Sequence, residues 1–80
     1  MTNTVKKMRF IAPSDAGTNI WLEPWCWEYE MPAGRELVVT YEPPPDREDC
    51  TSVSTYSDGI VLWCEGDNCK VWREGTEITL

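Results

Sequence analysis

The alternation of apolar and polar residues along the chain predicts a series of short β-strands. The clearest is segment 35–42, in which Leu37, Val39 and Tyr41 alternate with mostly polar side chains, as the two faces of a strand require. The other segments predicted as strands are 4–11, 18–23, 25–31, 51–56, 60–64, 69–74 and 77–80. Because no segment repeats its apolar residues every three to four positions over several turns, the pattern predicts an all-β fold.

Residues typical of turns separate these segments. Pro32-Ala33-Gly34 and the three prolines at 43–45 interrupt regular pairing. Asp58-Gly59, placed between Tyr56 and Ile60, is typical of a two-residue hairpin turn. The 80 residues suffice for one domain, 1–80, and leave no room for a second. We therefore expect a small antiparallel β-barrel, roll or sandwich of six to eight strands.

The segment Trp21–Met31 contains three of the five tryptophans. Reading every second residue places the rings of Trp21, Trp25 and Trp27 on one face, followed by Tyr29. Pro24 cannot donate to a neighbouring strand, so it predicts a bend that splits the segment into two strands. Since large apolar side chains are usually buried, Trp25, Trp27 and Tyr29 are interpreted as core. Trp21 precedes the bend, so for this ring the choice between core and binding surface stays open.

The segment 60–64 is almost entirely apolar, unlike the preceding segment 51–56, which is rich in hydroxyl side chains. A continuous apolar run is typical of a strand in the middle of a sheet with both faces covered. Trp63 is accordingly predicted to belong to the core.

The net charge of −7 is distributed unevenly along the chain. Residues 1–14 carry Lys6, Lys7 and Arg9 and no acid, which gives +3, whereas the remainder carries −10. A strongly acidic body repels nucleic acid and anionic lipid, so direct binding to either is not expected. The charge suits a basic protein partner, although solubility alone would also account for it.

The absence of histidine removes several kinds of chemistry. It excludes Ser-His and Cys-His nucleophile pairs, most catalytic zinc sites and the usual proton shuttle at neutral pH. The chain also has no glycine-rich phosphate loop, no GxSxG elbow and no calcium-loop spacing. We therefore predict that the protein is not an enzyme and needs no cofactor or metal.

The four cysteines contain no C-x2-C pair, and the closest two are Cys64 and Cys69. Three interpretations stay open: free buried thiols, a Cys64–Cys69 disulfide formed under oxidation, and a four-cysteine metal site. The chain has no apolar run long enough for a membrane span, and no apolar stretch of a secretory signal follows Lys6 and Lys7. We expect a cytoplasmic protein, in which reduced thiols are favoured.

These observations together predict a non-catalytic, acidic binding or inhibitory module that contacts another protein, such as a basic or nucleic-acid-handling one. The candidate anchors are Trp21, Trp25 and Trp72, because tryptophan is enriched among residues that dominate binding energy. The candidate acidic face consists of Glu28, Glu30, Glu36 and Glu42. The alternative is a small-molecule-binding β-barrel whose mouth is lined by Trp25, Trp27 and Tyr29. A small enzyme or regulatory subunit is the third hypothesis.

Overall fold

A computed structural model describes residues 5–78, which form eight β-strands. The strands are β1 (Lys6–Ile11), β2 (Thr18–Glu23), β3 (Trp27–Met31), β4 (Glu36–Glu42), β5 (Ser52–Tyr56), β6 (Gly59–Trp63), β7 (Asp67–Arg73) and β8 (Thr76–Ile78). Their bounds lie within two residues of the predicted ones, while Thr4 and Leu80, where the first and last predicted strands begin and end, fall outside the described residues. None of the described segments is a helix with the length and apolar character needed to cross a membrane.

The strands form two four-stranded sheets. Sheet A has the order β1-β4-β7-β8, and all of its neighbours are antiparallel. Sheet B has the order β3-β2-β6-β5, and its central pair, β2 and β6, is parallel. The all-β prediction is confirmed, but the wholly antiparallel arrangement is wrong at this pair. Among the described residues the two sheets share no strand pair, so they do not close into a barrel.

The core is one apolar cluster to which both sheets contribute. The side chains with 0–1% exposure come from alternate strand positions and are Ile20, Leu22, Met31, Leu37, Val39, Leu62 and Val71. The predicted inward set of β4 is confirmed, because Leu37, Val39 and Tyr41 are all buried. No polar or charged residue among those described is buried.

The turn between β2 and β3 determines which tryptophans face the core. β2 ends at Glu23 and β3 begins at Trp27, so the predicted split of this segment at Pro24 is confirmed. Because the chain reverses here, Leu22 pairs with Trp27 and both lie on the inner side of sheet B. The expectation that Trp21 and Trp27 share one face is therefore wrong: Trp21 lies on the outer side.

Candidate functional site

The outer side of sheet B carries a cluster of apolar side chains that we call the aromatic face. It consists of Trp21 on β2, Tyr56 on β5, and Val61 and Trp63 on β6. Strand register brings them together, since Trp21 pairs with Val61, and Trp63 follows Val61 by two residues on the same side. Tyr56 is 61% exposed and Trp63 is 44% exposed, whereas Trp21 and Val61 are half-buried. The rings of Tyr56 and Trp63 are therefore accessible on the outer side of the sheet.

Gly59 determines the position of the Trp21 ring. Gly59 is the first residue of β6 and pairs with Asn19, and a Cβ at this position would lie 2.5 Å from Cζ3 of Trp21. The turn of the β5–β6 hairpin is Ser57-Asp58, not the predicted Asp58-Gly59. Asp58-Gly59 is typical of a turn because glycine tolerates a positive φ. In the structure Gly59 lies in β6 instead, where the missing side chain leaves room for the indole of Trp21.

Trp63 is held at the end of β6 by a side-chain network. Its Nε1 donates a hydrogen bond to Oε2 of Glu65, whose other oxygen accepts from Nη1 of Arg47 at 3.1 Å. The prediction that Trp63 belongs to the core is wrong, because it points outward while Leu62 on the same strand points inward. Ile60 and Leu62 alternate with Val61 and Trp63. Because all four are apolar, the sequence of the strand does not show which pair faces the core.

Carboxylates surround the aromatic face on the side of β3 and β2. Glu28 pairs directly with Trp21, and Glu30 pairs with Asn19. Both carboxylates are exposed, and neither has an ion-pair or hydrogen-bond partner among the described residues. With Glu23 on β2, the four strands of sheet B carry three acids and no lysine or arginine. An uncompensated negative potential therefore lies beside the exposed rings.

Sheet A, unlike sheet B, carries both bases and acids. Its strands carry five of the seven basic residues, namely Lys6, Lys7, Arg9, Lys70 and Arg73, together with four acids. Glu36 accepts a 2.6 Å hydrogen bond from Nη2 of Arg9, which lowers the pKa of the Glu36 carboxyl. Glu42 accepts a 2.6 Å hydrogen bond from the amide of Asn68. The four glutamates predicted as one acidic face are thus divided between the two sheets, with only Glu28 and Glu30 beside the aromatic face.

The predicted anchors are also separated. Trp21 belongs to the aromatic face, and Trp25 lies in the β2–β3 turn with 42% of its surface exposed, so its interpretation as core is wrong. Trp72 lies on the outer side of sheet A, where its Nε1 donates a 3.0 Å hydrogen bond to Oγ1 of Thr40. Two shallow depressions of about 360 and 420 Å³ flank the Trp72 ring. The sequence analysis missed Tyr56, Val61 and Trp63 as members of the exposed cluster.

Trp27 and Tyr29 lie on the inner side of β3. Their rings are stacked, with centroids 5.8 Å apart, and both pack against the core while remaining half-buried. This placement agrees with their interpretation as core. Tyr29 lines two depressions of about 340 and 540 Å³, but neither of them includes Trp25 or Trp27, and the described strands do not close around a mouth.

A polar network fixes the start of β5. Asp49 accepts a 2.7 Å hydrogen bond from the hydroxyl of Tyr41 and a 3.1 Å hydrogen bond from the backbone N–H of Thr51. The Thr51 hydroxyl accepts a 3.0 Å hydrogen bond from the backbone N–H of Glu65. Hydrogen bonds from Thr51 and Tyr41 lower the pKa of Asp49, whereas burial raises the pKa of Tyr41. The network thereby links the loop after β4 to the residue that precedes β5 and to the segment that follows β6.

Cys64 and Cys69 lie beside this network as free thiols, close enough for each to affect the pKa of the other. Burial raises the pKa of both and brings that of Cys69 to about 12, so both stay protonated at neutral pH. Cys26 and Cys50 are exposed free thiols. Within residues 5–78, no three cysteine or carboxylate side chains are grouped closely enough to hold a metal ion.

Comparisons with known proteins identify no family for this chain. The chain matches no protein-family model, no curated protein and no solved structure. The interpretation of the aromatic face therefore depends on its own geometry and charge, and on the contrast between the two sheets.

Proposed function

We propose that the protein is a non-catalytic module that binds a basic protein partner through the aromatic face of sheet B. The observation that carries this proposal is the pairing of Trp21 with Glu28, next to the exposed ring of Trp63, on a sheet without basic residues. Tryptophan and tyrosine are enriched among the residues that dominate binding energy, and these residues cluster near the centre of an interface. The two sheets are treated as an open β-sandwich, which leaves this outer face available.

The chemistry of the face favours lysine and arginine side chains. A guanidinium over an indole ring gains about 0.5–2 kcal/mol, depending on how far both groups are desolvated. Unpaired carboxylates beside the rings attract the same cations and increase the association rate, with an effect that salt weakens. A partner with a cationic surface, such as a protein that handles nucleic acid, fits these properties. Occupying that surface would make the module an inhibitor.

The proposal is tested with a defined probe, an acetylated and amidated eight-residue peptide of alternating valine and arginine. We expect it to bind wild-type protein at low ionic strength, and a matched valine–glutamate peptide not to bind. Trp63→Ser should weaken binding at least tenfold, because Trp63 presents its ring on the face. Ile11→Ser is the matched control, since Ile11 is also exposed, at 63%, but lies on β1 of sheet A.

The contribution of charge is tested with two double variants, each of which replaces two acidic residues by lysine and so changes the net charge by the same amount. Glu28→Lys with Glu30→Lys alters sheet B, whereas Asp67→Lys with Glu77→Lys alters exposed positions of sheet A. The first should weaken binding at least tenfold and leave the melting temperature almost unchanged, and the second should change affinity less than threefold. Equal losses from the two would show that overall charge, and not this face, binds the peptide. No binding to wild type at low salt would overturn the proposal.

A further inference from the structure

Strand β5 forms an unprotected edge of sheet B. Edge strands usually carry charged residues or proline, or are very short, because their free backbone groups can pair with another chain. Among the described strands, the edge strand β1 carries three basic residues, the edge strand β3 carries Glu28 and Glu30, and the edge strand β8 has three residues. β5 has five residues, Ser52–Tyr56, with no charge and no proline.

Within residues 5–78 no strand pairs with the free side of β5, so its backbone is open to an additional strand. Tyr56 and Gly59 flank the two-residue turn, so they form a hydrogen-bonded pair, and bonded pairs alternate with unbonded ones along the hairpin. Val53 and Thr55 are therefore in the unbonded positions, with their N–H and C=O groups pointing to the free edge. All five residues of β5 are exposed, and Val53 is 46% exposed although its partner Leu62 is completely buried. The inner side of sheet B is therefore open to solvent at β5.

We propose that β5 accepts an extended basic segment of the partner as a fifth strand of sheet B. This inference rests on the proposed function and specifies how the partner reaches the aromatic face. Ser52 pairs with Trp63 and Ser54 pairs with Val61, so small side chains separate the edge from the rings. An added strand would lie about 9.5 Å from β6, twice the usual strand spacing. Its outward arginines could then extend over the serines towards Trp63.

Charge favours a basic segment over a second copy of this chain. Asp49 precedes β5 and Asp58 follows it, so acids flank both ends of the uncharged edge. In an antiparallel self-pair centred on Ser54, Asp58 of one copy would lie opposite Cys50 of the other, next to its Asp49. Each copy also carries a net charge of −7. A basic segment would place opposite charges at the same positions.

The inference is tested by amide hydrogen exchange, measured by NMR on wild-type protein with and without the valine–arginine peptide at saturation. The amides of Val53 and Thr55 should exchange at least tenfold more slowly when the peptide is bound. The Ser54 amide, which belongs to a pair already bonded to β6, should change less. Binding without protection of Val53 and Thr55 would overturn strand addition and leave the proposed function standing, whereas no binding would overturn the proposed function itself.

Two further measurements complete the test. Thr55→Pro removes a free-edge donor and should weaken peptide binding at least tenfold, while Thr55→Val keeps the donor and should change affinity less than twofold. Protection of Val53 and Thr55 that appears without peptide and grows with protein concentration would mean that a second copy occupies the edge. That result, checked by sedimentation, would also overturn the assignment to a basic segment.

Discussion

The indole ring of Trp21 lies against Gly59 of the neighbouring parallel strand. A Cβ at position 59 would lie 2.5 Å from Cζ3 of Trp21 and closer still to the backbone carbonyl oxygen of Asn19. The ring can rotate away, but the carbonyl belongs to β2 and cannot move without disturbing the sheet. Gly59 therefore allows β2 and β6 to pair closely and allows the Trp21 ring to lie against the backbone of β6.

Gly59→Ala is expected to destabilise the protein by about 1–3 kcal/mol, the usual cost of overpacking. It should also shift the tryptophan fluorescence, because the Trp21 ring must move. Denaturant unfolding followed by fluorescence measures both effects. Ser57→Ala, at an exposed position of the adjacent turn, is the control and should change stability by less than about 0.5 kcal/mol. Equal stability of the two variants would contradict the close approach.

Trp27 and Trp63 should respond differently to truncation. Trp27 packs against the core, so Trp27→Ala is expected to cost about 3 kcal/mol. Trp63 is 44% exposed on the outer side of sheet B, so Trp63→Ala is expected to cost less than about 1 kcal/mol. Urea unfolding of the two variants measures the difference. Similar losses would show that the assignment of these rings to inner and outer sides is incorrect.

The raised pKa of Cys69 predicts a loss of stability in alkali. The unfolded thiol ionises near pH 8.5, whereas burial raises the pKa of the folded thiol to about 12. Its contribution is therefore complete below about pH 8.5 and is lost as the pH rises towards 12. Between pH 8 and 10.5, under reducing conditions, Cys69→Ser should lose less unfolding free energy than wild type. Cys50→Ser, which replaces an exposed thiol, should follow wild type.

The lowered pKa of Asp49 predicts a loss of stability in acid. Hydrogen bonds from Thr51 and Tyr41 stabilise the ionised carboxylate, so the contribution is complete above about pH 4. It is lost as the pH falls through the lowered pKa of the folded state. Asp49→Asn should therefore flatten the decline of unfolding free energy between pH 4 and 2. Asp46→Asn, in the same loop and exposed, should not; equal slopes for wild type and Asp49→Asn would contradict the network.

The sequence predicts what depends on local alternation and misses what depends on strand pairing. In β4 the alternation of buried and polar positions is visible in the residues themselves, and the structure agrees. Segment 60–64 has apolar residues in both registers, so only its neighbours decide that Leu62 faces inward and Trp63 outward. The parallel β2–β6 pair joins strands far apart in the chain, and the role of Gly59 follows from that pair. Local pattern carries no information about such long-range partners.

The uneven distribution of charge between the sheets has a consequence for how the molecule meets other molecules. The strands of sheet A carry five bases and four acids, whereas those of sheet B carry three acids and no base, so the strands contribute an electric dipole directed across the two sheets. In the field of a positively charged body, this dipole would rotate the molecule during diffusion. Trp63 and its neighbours would then point towards that body before any atoms touch.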